Sequence, residues 1–332
     1  MPTEDRPDQS EAPQYVQAVL FDKGLDGHRL TLAELSELGA LGDDQLLWID
    51  VQGDPQDLPE SVLRYGITGS RMRHSDSGLV IGERWNYLHA RALNSSRIRT
   101  FTDEPLVVAV GTNVVVTAHN HEIDFLAAVL KNEAQQLRVG SLHAGSFASS
   151  LLDRMLTDYL DARDEFESSV DRIELLVLRR PKSRHLSELQ QLRRQASKLR
   201  RYLANQRDMF DSLARPDFDP DQPPDVARHW QLLSARYSRT MTSVESAREL
   251  VNGSFDVYTS RVAHGTNETM RLLTVVTVIV GTLAVVVGVM GMNFDAEIFK
   301  SGDTGFWWTV GGMALFSLLA IGLSVLLLSA KK

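Results

Sequence analysis

The chain has 332 residues, a formal net charge of −8 and no cysteine. Without thiols there is no disulfide, no thiolate metal site and no thiol catalysis, and the acidic balance argues against nucleic acid and against a basic patch for membrane surfaces. The length accommodates one soluble domain, a helical region and membrane spans.

Residues 1–14 are polar, with Pro2, Pro7 and Pro13, and are expected to form a disordered tail. They contain no apolar signal-peptide core, so the soluble part is expected in the cytosol. From Tyr15 the pattern predicts one mixed α/β domain over 15–140. Tyr15–Phe21 reads as a strand, Thr31–Leu38 as a short helix capped by Thr31, and Leu46–Val51 as a second strand. Asp54-Pro55 opens a helical segment to Tyr65. Leu79–Ile81, Trp85–Leu93, Leu106–Val110 and Val114–Thr117 are rich in β-branched or aromatic residues and read as strands, the last two joined by a hairpin at Gly111-Thr112-Asn113. Ile123–Leu137 returns to a helical period.

Between 146 and 215 the period predicts a helical hairpin. Phe147, Leu151, Met155, Tyr159, Ala162, Phe166, Val170, Ile173 and Val177 keep one apolar face until Pro181 breaks it. A second helix carries Leu186, Leu189, Leu192, Ala196, Leu199, Leu203, Phe210 and Leu213, and ends in an acidic, proline-rich loop from Arg215 to Pro224. A stalk helix is then expected from 225 to 290. Val226, Trp230, Leu233, Tyr237, Thr240, Val244, Ala247, Val251, Ser254, Tyr258 and Val262 form a heptad-like seam running into the apolar run. Gly253 and Gly265 cost roughly 1 kcal/mol each. At 1.5 Å per residue the helix is on the order of 100 Å long and needs neighbours.

Leu272 to Met290 carries no charge, and about 20 such residues span a bilayer. A connecting loop, 291–304, leads to a second uncharged run, 305–330, followed by Lys331-Lys332. Arg261, Arg271, Lys331 and Lys332 flank the spans, while the loop holds Asp295, Glu297 and Asp303 against one Lys300. By the positive-inside rule this two-span chain is expected to have both termini in the cytosol and the loop outside.

Within the first span Asn267, Met270, Thr274, Thr277, Gly281, Ala284 and Gly288 recur three or four residues apart and share one face. Lipid needs nothing from a small or polar stripe, so that face meets protein or water. Two readings fit: tight helix packing, or a water-filled path. Two spans cannot enclose such a path alone, so the second reading requires several copies of the chain.

The run Asn267-Glu-Thr-Met-Arg-Leu-Leu-Thr274, an apolar span, and then Gly291-Met292-Asn293-Phe294 resemble the CorA family of divalent-cation channels and transporters. The stretch from Leu192 to Asp208 is similar to the ZntB-type zinc transporters within it. The resemblance covers about 105–330. It implies an α/β cytosolic domain, a long helical hairpin, a stalk helix and two C-terminal transmembrane helices, arranged as a funnel in a homopentamer embedded in lipid. It also implies a selectivity filter of Gly291, Met292 and Asn293 at the outer mouth. The pore would be lined by Asn267, Met270, Leu273, Thr274, Thr277, Gly281, Ala284 and Gly288, with Met270 and Leu273 as a hydrophobic constriction. Asp295 and Glu297 would attract cations, and Asp256 matches a cytosolic regulatory cation position; its plainer reading is a solvated stalk residue. No covalently bound cofactor is implied, only a transported or regulatory Mg²⁺ or Zn²⁺. Departures from the family pattern are Met290 where Tyr is usual, the small Gly281 and Ala284, and a loop lacking Met-Pro-Glu.

Other constellations are His119-Asn-His121 before Glu122, which suits Zn²⁺ or ordinary loop and capping chemistry. Arg193, Arg194, Arg200, Arg201 and Arg207 form a stripe expected to pair with Asp161, Asp164, Glu165 and Glu167, or to hold a ligand. No Gly-rich phosphate loop, catalytic triad order or paired-carboxylate motif supports an enzyme. The leading expectation is therefore a homopentameric channel or transporter for Mg²⁺, Co²⁺, Ni²⁺ or Zn²⁺. Its rivals are a proton-coupled ZntB-type zinc importer, a poorly selective tension-gated channel, and a non-conducting membrane-tethered scaffold.

Overall fold

In the computed structural model, residues 15–22, 27–54, 57–72, 78–94, 101–131, 143–220, 222–291 and 302–329 are described. The expected tail, 1–14, the expected first-turn Pro55, and the loop residues Met292 to Lys300 lie outside them. The chain divides into two compact units. The first comprises Met1–Leu176 with Lys182–Phe255, the second Val177–Pro181 with Asp256–Lys332.

The first unit is built on seven strands: β1 (Tyr15–Phe21), β2 (Gly27–Leu30), β3 (Leu46–Gln52), β4 (Gly78–Ile81), β5 (Asn86–Asn94), β6 (Thr102–Val110) and β7 (Val114–His119). Their order in the sheet is β2-β1-β3-β7-β6-β5-β4. Every pairing is antiparallel except β3 with β7, which run parallel from Leu47 opposite Val114 to Gln52 opposite His119. Both central strands are buried on both faces, so alternate side chains feed two cores. Leu46 and Trp48 face one core, and Leu47, Ile49 and Val51 the other.

The second of these cores is closed by short helices: α1 (Leu32–Glu37), α2 (Glu60–Leu63) and α3 (Gly69–Met72) contribute Leu35, Val62 and Met72. Thr31 caps α1 as expected, in a reciprocal capping box with Glu34. The segment predicted to be helical from Asp54 is helical only from Glu60 among the described residues. Pro59 is its N-cap, a position at which the missing amide costs no helical bond.

The first core receives the long helices: α4 (Asp124–Lys131), α5 (Ala144–Arg179), α6 (Ser183–Ala204), α7 (Arg207–Leu213) and the N-terminal part of α8 (Pro224–Met290). Phe147 anchors α5 to the sheet, its ring 5.4 Å from Phe21 and 5.3 Å from Trp48. Pro181 separates α5 from α6 as predicted. The second helix of the hairpin is not continuous, however; it breaks at Asn205-Gln206. There the Leu203 carbonyl accepts from the Gln206 amide at 3.1 Å and from the Tyr237 hydroxyl at 2.9 Å. Phe210 and Tyr237 then stack at 4.5 Å.

The seam on α8 is buried from Val226 to Ser254. It was expected to continue through Tyr258 and Val262, but Val262 is 40% exposed in the single chain. In the second unit α8 runs unbroken to Met290, and α9 (Gly302–Ser329) begins slightly before the predicted second span. By length and composition one described helix, Pro224–Val289, is sufficient to cross a membrane, and its apolar window is wholly unburied in the chain.

Candidate functional site

The predicted pore stripe lies on an uninterrupted stretch of α8, so its side chains share one face as the spacing required. Thr274 donates its hydroxyl to the Met270 carbonyl at 2.9 Å and Thr277 to the Leu273 carbonyl at 2.8 Å. The donors are thus satisfied within the helix, and each hydroxyl oxygen keeps an acceptor site for whatever faces it. Met270 is 62% and Leu273 64% exposed in one chain. Nothing occupies the space beside Gly281 or Gly288. A face this open in one chain is a surface for lipid or for further copies of the chain.

At the end of the helix the Gly291 amide still donates to Val287 O at 2.9 Å. Met292, Asn293, Asp295 and Glu297 lie outside the described residues. Asp256 is an exposed residue of α8. Among the described residues no group of three or more His, Asp or Glu side chains is placed to hold a metal ion.

That geometry also separates the two histidines singled out in the sequence. The His119 ring is buried, with Nε2 3.3 Å from both Asp50 oxygens and Nδ1 2.6 Å from the His121 carbonyl. His121 turns its Nδ1 instead to Glu104, 3.1 Å from Oε2, while Glu104 Oε1 also accepts the Asn120 and His121 amides at 3.1 and 2.8 Å. The two rings therefore serve different carboxylates: loop and capping chemistry accounts for them. A carbonyl accepts only, so His119 Nδ1 carries a hydrogen; Nε2 faces a carboxylate and is best served by a second. Burial pulls this imidazole down, but the hydrogen bond and charge of Asp50, with His121 O and Glu104, lift it above its ordinary value. Asp50 further accepts from Thr117, whose hydroxyl receives Trp48 Nε1 at 3.0 Å.

The arginine stripe was expected to meet acids of α5, and it does not. Arg200 pairs with Glu245 of α8 at 3.2 Å, and Arg193 lies over the Phe255 ring at 5.7 Å. Two of the α5 acids, Asp164 and Glu167, are bridged by Arg163 of their own helix at 3.1 and 3.3 Å. Asp158, on the same helix, is pushed up to about 6 by burial, with Asp161 and Asp124 adding to the effect and Arg154 opposing it.

Sequence reasoning overlooked the Asp50–His119 pair and Gln206. The available signal for the first was a carboxylate inside an otherwise apolar strand, Leu46-Leu-Trp-Ile-Asp-Val51. Gln206 is wholly buried. Its Oε1 accepts from the Arg91 amide at 3.1 Å, and its Nε2 donates to the Tyr202 carbonyl at 3.0 Å and to the Tyr159 hydroxyl at 3.2 Å. It lies in the stretch similar to the ZntB-type transporters, but nothing in the helical period there marks it as a buried amide.

A mixed sheet covered by long helices, the longest of which continues unbroken into an apolar segment, defines a class of α/β proteins joined to a membrane helix. A family model described as "CorA-like Mg2+ transporter protein" matches residues 43–323. The chain belongs to that family. The "Cobalt/magnesium transport protein CorA" of Thermotoga maritima is 31% identical over 146 residues, 44% of this chain and 41% of that protein. The "Divalent cation transporter CmaX" of Pseudomonas aeruginosa is 30% identical over 173 residues, 51% of this chain and 50% of that one. The alignable stretch is thus about half, or less, of each relative. The complete structure of the CorA magnesium transporter from Methanocaldococcus jannaschii has the same fold, with a TM-score of 0.72 at 18% identity, covering 92% of this chain and 96% of that one.

Proposed function

We propose that this chain is one subunit of a homopentameric pathway that carries divalent cations, Mg²⁺, Co²⁺, Ni²⁺ or Zn²⁺, across a bacterial inner membrane. One observation carries the reading. The stripe from Asn267 to Gly288 and the apolar segment lie on a single helix, Pro224–Met290, that runs directly into Gly291-Met292-Asn293. The relatives' names, a cobalt and magnesium transport protein and a divalent cation transporter, supply the cargo class.

The physics supports it. An apolar helix that is half-buried only along Val275, Ile279, Leu283 and Val286 and exposed elsewhere in one chain gains most by associating with copies of itself, which turns the small stripe to a shared axis. Mg²⁺ gives up its waters reluctantly, so a ring of neutral Asn293 amides can select it through its hydration shell. A carboxylate ring would hold it too tightly for release. Met270 and Leu273 form the hydrophobic constriction. Asp295 and Glu297, in the outer loop 291–304, raise the local cation concentration. The second span is 305–330, and both termini lie in the cytosol. Asp256 contributes to a cytosolic cation contact whose remaining ligands come from another subunit.

Cation uptake into vesicles containing the purified full-length protein tests this. Wild type is expected to pass Mg²⁺ or Zn²⁺, and Asn293→Ala to lose selective flux. Unchanged uptake in that variant removes the filter assignment. No flux at all in wild type removes transport and leaves a membrane-tethered scaffold.

A further inference from the structure

The sheet face that meets the long helices changes character along its length, in register across neighbouring strands. On β1 it passes from Phe21 and Val19 to Gln17 and Tyr15, and on β3 from Leu46 and Trp48 to Asp50 and Gln52. On β7 it passes from Val115 to Thr117 and His119. Gln17 is opposite Asp50, Tyr15 opposite Gln52, and Gln52 opposite His119. A face that continued apolar would simply extend the core. Here the polar end is instead left open, beneath α4, as a cavity of about 380 Å³.

That volume lies within the range of small-molecule sites, and the setting suits one. The cavity opens at the carboxyl ends of β3 and β7, the parallel pair, where α4 follows β7 closely; α/β sheets bind ligands in such crevices. Its floor is fixed: Asp50 and His119 are 6% and 2% exposed and hold one another. Ala127 and Leu126 of α4 supply an apolar wall, and Gln17 and Gln52 supply amide donors and acceptors. Arg29 and Lys131, both exposed, stand beside it with the carboxylate of Glu122. Asp50 is engaged by the His119 ring, and of the charged groups beside the opening two, Arg29 and Lys131, are cations and one, Glu122, is an anion.

We propose that this cavity is a binding site for a small organic or inorganic anion, a carboxylate or phosphate, held by Arg29 and Lys131 with the glutamine amides reading its polar body. The site lies wholly within the α/β unit and is independent of any cation path through the apolar helices. Arg29 already donates to the Leu130 carbonyl, which holds its guanidinium against α4 and leaves its other N–H donors for an oxyanion.

Isothermal titration calorimetry on the full-length protein in detergent tests the proposal, with inorganic phosphate, succinate and glucose 6-phosphate as probes and glucose as the uncharged control. At least one anion should bind saturably and glucose should not. The paired substitution R29Q/K131Q, both at exposed positions, should weaken that binding at least tenfold. A127W, which fills the cavity from the helix side, should abolish it. If none of the three anions binds, or if affinity survives R29Q/K131Q unchanged, the site is overturned; the paired variant decides the matter even if A127W does not fold.

Discussion

The buried amide of Gln206 makes a demanding prediction. Strand β4 begins at Gly78, opposite His89, so from Ala90 onward β5 has no strand on this side among the described residues. Arg91, opposite Pro105 on the β6 side, turns its amide and carbonyl the other way. Gln206 meets the amide at 3.1 Å, and Tyr159 donates to the carbonyl at 2.9 Å. Among the described residues, side chains thus take the place of a strand at this edge of β5. Gln206→Leu keeps the volume but strands the Arg91 N–H and removes the donor to the Tyr202 carbonyl. A stranded buried donor costs about 1–3 kcal/mol, and a carbonyl losing its partner costs less, so about 3 kcal/mol in total is expected. At 1.4 kcal/mol per tenfold that is roughly a hundredfold larger opening equilibrium. Hydrogen exchange of a peptide covering β5 in the full-length protein reads it directly. Tyr159→Phe should cost about 1–2 kcal/mol, and the double variant less than the sum, because the Gln206–Tyr159 bond is then lost once. Exchange unchanged within a factor of two in Gln206→Leu would refute the surrogate-strand account.

Two further outcomes follow from packing and charge. A Cβ at Gly145 would lie 2.6 Å from Val226 Cγ1, so Gly145→Ala should lower stability by about 1–2 kcal/mol although alanine favours helix; Val226→Ala in the same chain should recover most of the loss in thermal unfolding. Asp158 has a folded value near 6, above its ordinary 3.8, so the folded state binds its proton more tightly and ionisation works against folding. Stability from this group is therefore present below about pH 4 and lost as pH rises to about 6. Asp158→Asn should raise the unfolding temperature at pH 7.5 relative to wild type, with the gain vanishing below pH 4; a gain independent of pH would contradict it.

How much of this was legible beforehand depended on whether the information was local. The strands Tyr15–Phe21 and Leu46–Gln52, the hairpin at Gly111, the break at Pro181 and the long helix into the apolar segment all announce themselves through periodicity, turn residues and unbroken charge-free runs. Those signals record which face of a segment leaves water, and solvent exposure repeats along the chain. That residues 267 to 288 lie on one unbroken helix belongs with them.

What partners each face is a different kind of fact. Strand Gly27–Leu30 has only a polar, glycine-led sequence and exists because β1 offers it a ladder, Phe21 to Gly27 through Ala18 to Leu30. The hairpin's second helix breaks where Tyr237, 34 residues on, reaches the Leu203 carbonyl. Arg200 finds its acid 45 residues away on α8 rather than on the helix beside it, and Asp50 meets His119 across 69 residues. The sequence by itself therefore determined most of the helices and strands and the length of the charge-free helix, because a burial pattern is written residue by residue. Only the tertiary structure decided which charges pair, where a helix stops and where the polar cavity opens, because a hydrogen bond or ion pair requires two groups that the chain keeps far apart until it folds.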